Sequence, residues 1–179
     1  MNRFVLPLGI FALLAVVLGI AIKHSPEKGI IPSVLIGKPA PQFELAVLTD
    51  ANRTFSSAAL KGRWYALNVW GTWCFECRAE HNTLLEIEKM GQVPLIGLDW
   101  KDEDPQALQW LSELGNPYDV VAADREGRTA IDWGVYGAPE TFLVNPQGIV
   151  VHKYVGPLTL EAWKSEFLAR IPPQQAAKQ

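Results

Sequence analysis

Two cysteines occur among the 179 residues, and they stand three positions apart in Trp73-Cys74-Phe75-Glu76-Cys77. Any disulfide within one chain must join these two, and a loop this short adds little to fold stability, so the pair is of interest for its reactivity. Two thiols at this spacing can open a helix. The unpaired amide N–H groups and the dipole of the helix start then stabilise a thiolate on the first, drawing its pKa below the usual value of about 8.5. Cys74 is expected to be the nucleophile. Cys77, one turn further in, is expected to be shielded and to resolve a mixed disulfide by attacking Cys74.

Three other uses of the pair compete with this one. A structural zinc site needs four ligands in most cases, and Cys74, Cys77 and His81 make three, with His24 and His152 distant in the chain. Covalent haem attachment needs a histidine directly after the second cysteine, where this chain has Arg78. Inert buried thiols fit poorly with the polar and aromatic residues Thr72, Trp73, Glu76 and Arg78 around them. The expectation is therefore no metal and no cofactor beyond a redox-active Cys74–Cys77 disulfide.

The surrounding elements must place that pair. Trp64 to Trp70 is a nearly continuous apolar run halted by Gly71-Thr72, the pattern of a strand buried on both faces. Helical periodicity follows from Cys74 to Met90, with Gly91 as left-handed cap. Val93 to Leu98 predicts another buried strand, and Pro105 to Leu114 an amphipathic helix with Asp104 as N-cap, Pro105 at N1 and Gly115 beyond its end. Tyr118 to Ala122 predicts a short strand and Arg128 to Trp133 a weak helix. Thr141 to Val144 and Ile149 to Val155 flank the turn sequence Asn145-Pro146-Gln147-Gly148 as a hairpin. Upstream, Phe43 to Leu48 and Thr54-Phe55 form a short hairpin, followed by a helical turn over Ser56 to Leu60; Leu160 to Ile171 closes the chain's last helix. The order is that of an α/β sheet with its site at the carboxyl end of a strand.

Composition bounds the rest. With 49% hydrophobic residues the chain supports one compact domain with a real core. A formal net charge of -3 and no basic run argue against nucleic acid as a partner. Phe4 to Ile22 carries no charge and would reach about 28 Å as a helix, near the thickness of a bilayer core. The expected organisation is a membrane anchor over 1–22, a linker over 23–41 and a domain over 42–179. An uncleaved anchor is favoured over a signal peptide, for which Gly19-Ile20-Ala21 is a weak cleavage match.

Asn68-Val69-Trp70-Gly71-Thr72-Trp73-Cys74 and Cys77-Arg78-Ala79-Glu80-His81 closely resemble the cytochrome c biogenesis thiol:disulfide interchange proteins of the CcmG/DsbE type. Leu98-Asp99-Trp100-Lys101-Asp102 and Leu114-Gly115-Asn116-Pro117-Tyr118 resemble that family's central insertion, and Gly134-Val135-Tyr136-Gly137-Ala138-Pro139-Glu140-Thr141-Phe142 its most specific signature. The resemblance implies a thioredoxin fold with an N-terminal hairpin extension and a central insertion, preceded by one transmembrane helix. It implies a single-pass protein of the bacterial inner membrane whose domain faces the periplasm. The partners would be apocytochrome c or cytochrome c maturation thiol proteins, kept reduced for haem attachment, with a transmembrane thiol reductase as electron donor. A general periplasmic disulfide reductase or isomerase, and a non-catalytic apocytochrome-binding module, stand as alternatives. The chain departs from the family in having Phe75 where proline is common after the first cysteine.

The same resemblance makes Pro139 a cis-proline facing the cysteines, whose preceding backbone at Ala138 could pair with an incoming chain. Trp73, Phe75, Glu76, Ala138, Pro139 and Glu140 are the expected substrate contacts, with Glu140, Asp99, Asp102 and Glu76 read as an acidic rim or as solvated surface. His81 is expected to be partly exposed, and Trp100, Trp110, Trp133 and Trp163 to lie in the core. Many thioredoxins carry a proton-accepting aspartate where this chain has Asn68, an amide that cannot act as a base. Glu80, three residues after Cys77 on the same helix, is the candidate replacement.

Overall fold

A computed structural model describes residues 5–23 and 33–172, and the chain divides into two compact units at Pro32/Ser33. The first contains the helix α1, Val5–Lys23, whose side chains are described from 6 to 20. Among the described residues no helix is long and apolar enough to cross a membrane. The anchor expected over 1–22 begins outside the described residues.

The second unit is built on one mixed sheet of seven strands: β1 (Glu44–Val47), β2 (Asp50–Ser56), β3 (Tyr65–Trp70), β4 (Leu95–Trp100), β5 (Val120–Asp124), β6 (Glu140–Val144) and β7 (Val150–Val155). Their order is β2-β1-β5-β4-β3-β6-β7. β3, β4 and β5 run parallel, and the remaining neighbours pair antiparallel. Helices α2 (Phe75–Met90) and α3 (Asp104–Leu114) make the crossovers that parallel pairing requires. Residues 33–41, assigned to the linker by composition, are tied to this sheet: Gly37 and Ala40 donate backbone hydrogen bonds to Val150 and Gly148, and Pro39 bridges Ile149.

β3 shows how the sheet sorts side chains. Successive residues point to opposite faces. Ala66 and Trp70 enter a core shared with Leu84 and Ile87 of α2, Trp110 of α3 and Trp163 and Phe167 near the C-terminus. Tyr65, Leu67 and Val69 enter the opposite core, with Phe43, Phe142 and Trp133. The strand is buried along its whole length, which explains its unbroken apolar run. Its one polar residue, Asn68, lies on the α2 side.

α2 starts at Cys74, whose Sγ accepts from the Cys77 N–H at 3.0 Å, and ends at Gly91 with a left-handed φ of 57°. α3 differs from expectation at its start: Glu103 is the N-cap residue, makes no side-chain cap bond, and Asp104 is already helical. Asp104 is instead engaged by Arg125. α4 spans Arg128–Asp132. The last helix is irregular, with α5 at Leu160–Ala162, a π turn over Trp163–Phe167 and a 3-10 turn over Leu168–Arg170. The wider turn seats the stacked rings of Trp163 and Phe167, 4.9 Å apart, in the core.

Candidate active site

The carboxyl ends of β3 and β4 and the amino end of β6 meet at one edge of the sheet, as the pairings Trp70↔Asp99 and Val69↔Glu140 require. Cys74 follows β3 after the turn Gly71-Thr72-Trp73, and it is bonded to Cys77. Both cysteines are buried in this oxidised form, Cys74 at 5% exposure and Cys77 at 3%. The expected contrast between an open first thiol and a shielded second is therefore small while the bond is intact. Their neighbours are exposed: Trp73 at 53% and Phe75 at 82%, with Glu76 also facing solvent. The Ala138–Pro139 peptide is cis, and Ala138 packs against the core that holds both cysteines.

The turn before Cys74 is fastened to the end of β4. Thr72 donates to Asp102 twice, from its backbone N–H at 2.5 Å and from its hydroxyl at 2.7 Å. The Trp73 indole N–H donates to the Trp100 carbonyl at 3.0 Å, and the two rings meet edge to face at 5.4 Å. Trp100, expected in the core, packs partly buried against one and also supports Trp73. A side chain at Gly71 would place its Cβ 2.5 Å from Trp73 Nε1, so this approach needs glycine. Lys101 adopts a left-handed φ of 50°, a conformation that costs a non-glycine residue about 1–2 kcal/mol and that the turn into Asp102 imposes.

Beneath the cysteines lies a closed polar network. Asn68 Nδ2 donates to Glu80 Oε1 at 2.8 Å and to Thr141 Oγ1 at 3.0 Å, while the Tyr118 hydroxyl donates to Asn68 Oδ1 at 2.8 Å. The Leu158 N–H donates to Glu80 Oε2 at 2.6 Å. Glu80 is 1% exposed. Burial pushes its pKa up from 4.5 to about 7, against the opposing pull of the Leu158 and Asn68 donors. Burial also holds the Tyr118 hydroxyl well above its ordinary value, so it remains a donor throughout the physiological range. Asn68, an amide, holds the Glu80 carboxyl group in place. Glu80 was visible from its spacing to Cys77; Tyr118, Thr141 and Leu158 reach the network from separations of 50 to 78 residues and carry no local signal.

Three expected assignments change. Glu140 is not on a rim. It pairs across β6 and β3 with Val69, so its side chain turns to the sheet face opposite α2, where it is fully buried and binds Lys153 at 2.8 Å. The Lys153 ammonium also reaches the Gly134 carbonyl and lies 4.4 Å from the Tyr136 ring centre, tying the loop before Pro139 to β7. Asp99 likewise is buried, at 2%. His81 is 4% exposed rather than at the surface. Trp110 Nε1–H can only donate, so His81 Nδ1 accepts it at 3.2 Å and Nε2–H donates to the Gly115 carbonyl at 3.0 Å. Both ring nitrogens of that neutral tautomer are thus engaged.

The chain matches the AhpC/TSA family over residues 36–153. It is 44% identical over 177 residues to the thiol:disulfide interchange protein DsbE of Allochromatium vinosum, covering 99% of this chain and 97% of that one. It is also 44% identical over 161 residues to DsbE of Pseudomonas aeruginosa, covering 90% and 88%. Among solved structures, a DsbE-type thiol:disulfide interchange protein from Chlorobium tepidum superposes with a TM-score of 0.62 at 26% identity, over 75% of this chain and 96% of that one. A disulfide-bonded CxxC pair at a strand-to-helix junction of this mixed sheet, in a chain so closely related over its length, is the redox centre of a thiol–disulfide oxidoreductase with a thioredoxin fold, and the chain belongs to the AhpC/TSA family and within it to the thiol:disulfide interchange proteins of the DsbE type.

Proposed function

We propose that this oxidoreductase acts as a reductant in cytochrome c maturation, giving electrons to disulfides of apocytochrome c or of a partner thiol protein in that process. The near full-length likeness to DsbE proteins supports the reading. So does the segment Gly134 to Phe142, which resembles the signature of the cytochrome c biogenesis members. In the productive direction the Cys74 thiolate attacks one sulfur of the partner's disulfide, forming a mixed disulfide and expelling the partner's other sulfur as a thiolate. Cys77 then attacks Cys74 Sγ, closing the Cys74–Cys77 bond and releasing the second partner thiol. Two electrons pass to the partner, and the partner's sulfurs take up two protons.

Glu80 serves the second step. A carboxyl group with a pKa of about 7, one helical turn from Cys77, is matched to take the proton that Cys77 must lose. The exposed rings of Trp73 and Phe75, with Glu76, Ala138 and Pro139, form the surface on which the partner segment is received. The domain works on the periplasmic side of the bacterial inner membrane, held by the uncharged stretch from Phe4 to Ile22, and a transmembrane thiol reductase returns it to the dithiol state.

A Cys77→Ser variant, which can capture but not release a partner, tests the reading in cells. Mixed disulfides with apocytochrome c or a cytochrome c maturation thiol protein are expected in the membrane fraction. A broad set of unrelated periplasmic proteins would instead mark a general reductase, and capture that persists without either cysteine would mark a binding module.

A further inference from the structure

We propose that Asp99 is a positioning residue for the exchange reaction: in its protonated form it donates a hydrogen bond to Asp102, and so lets that carboxylate hold Thr72 and the turn that delivers Cys74. The assignment rests on the dithiol chemistry alone and is independent of which partner is reduced.

Asp102 receives three donors, the Thr72 N–H and hydroxyl and its own neighbour's Glu103 N–H at 2.8 Å. Such convergence of donors suits an ionised acceptor. Asp99 is placed differently. It sits near the end of β4 between Trp70 of β3 and Ala123 of β5, is 2% exposed, and its Oδ1 has no hydrogen-bond partner among the described residues. A charge held there without a partner would be costly. The cation acting on it is Arg125, just after β5, whose guanidinium is already committed to Asp104 through two bonds of 2.8 and 2.5 Å.

The groups acting on Asp99 from the surrounding elements therefore favour its neutral form. Burial is the largest influence, followed by the charge of Asp102, the hydrogen bond to Asp102 and the charge of Asp104, with Arg125 opposing, and together they raise its pKa from 3.8 to about 8. Tyr118, ahead of β5, feels the charge of the same carboxyl group, and Trp70 of β3 stands opposite it in the sheet. When Asp99 loses its proton, two carboxylates face one another across a lost hydrogen bond. Asp102 must then shift, and its hold on Thr72 loosens, together with the Trp73 indole contact to Trp100 beside it.

The oxidised full chain in detergent micelles isolates this event from thiol ionisation. Nitrogen-15 NMR would follow the Thr72 amide and the Trp73 indole N–H between about pH 6 and about pH 9. Both signals are expected to titrate together with a midpoint near 8 in the unaltered protein. Asp99→Asn, whose amide still donates to Asp102, should abolish the midpoint and leave both signals at their low-pH positions. The rate of disulfide reduction by dithiothreitol, taken as the ratio of unaltered protein to Asp99→Asn so that reagent ionisation cancels, should fall about threefold through the same midpoint as a second negative charge meets the incoming thiolate. Asp99→Ala, without a donor, should reduce slowly at every pH, with Asn restoring the rate. No midpoint in the unaltered protein, the same midpoint in Asp99→Asn, or a flat rate ratio would each overturn the proposal.

Discussion

Replacing Glu80 by glutamine separates the energetic role of the buried carboxyl group from its chemical one. In the native protein its pKa is about 7, against 4.5 for the free side chain. A raised native value means that the folded state binds the extra proton, so the stabilisation is complete below about pH 4.5 and is lost as pH rises through about 7. At about 1.4 kcal/mol per unit, the unaltered protein should lose on the order of 3 kcal/mol across that window from this group. Glutamine does not titrate. It also offers only one carbonyl oxygen to two fixed donors, Asn68 Nδ2 and the Leu158 N–H, and should forfeit one bond worth about 1–3 kcal/mol at every pH. The stability difference between Glu80→Gln and the unaltered protein should therefore move by about 3 kcal/mol in the variant's favour between about pH 4.5 and about pH 8, while Asp99, present in both proteins, drops out of the comparison. Denaturant unfolding of the oxidised forms at several pH values measures this. Parallel stability curves would refute the claim that Glu80 is forced towards its neutral form. In the same variant, capture of substrate by Cys74 should persist while release by Cys77 slows, seen by stopped flow as a lag between the two steps.

Other expectations follow from separate parts of the structure. Glu76 lies exposed beside Cys74, so Glu76→Gln should remove a charge that disfavours the thiolate and raise the reduction potential measured against glutathione; an equal or lower potential removes Glu76 from the explanation. Lys153→Met strands the Glu140 carboxylate and should cost about 3–5 kcal/mol in unfolding experiments, much of it recovered when Glu140→Gln is added, and simple additivity would deny the pairing. His81 has its pKa lowered, first by burial, so stability should fall as pH drops below about 6.5 and the unfolded chain binds the extra proton; His81→Gln should flatten that acid limb, and an unchanged limb would show that another group sets it.

The parts of this site readable from sequence were those carried by short-range pattern. The cysteine spacing, the buried strand ahead of it, the glycine that ends α2 and the turn between β6 and β7 each follow from residues within one element. Glu80 was within reach for the same reason, being one turn from Cys77. The burial of Glu140 and Asp99 is not legible locally, because adjacency along the chain to Pro139 or to the end of β4 says nothing about facing. Only the register Val69↔Glu140 assigns Glu140 to the face away from α2, and register depends on neighbours fixed by the whole sheet. The burial of His81 has no local signal, because its partners, Trp110 and Gly115, belong to the next helix and its end. The acidic residues expected as a rim or as solvated surface are thus three different things: Glu76 in solvent, Asp102 as an anchor for Thr72, and Asp99 and Glu140 buried, Glu140 with Lys153 as its partner.

The division of labour between the two cysteines is tested most directly by single-turnover reaction of the reduced Cys74→Ser and Cys77→Ser variants with a disulfide-bonded peptide, followed by acid quench and mass analysis. Cys77→Ser should accumulate a stable mixed disulfide through Cys74, and Cys74→Ser should capture almost none, because only Cys74 stands at the start of α2 where the helix stabilises its thiolate. Capture through Cys77 at a comparable rate in Cys74→Ser would contradict the account.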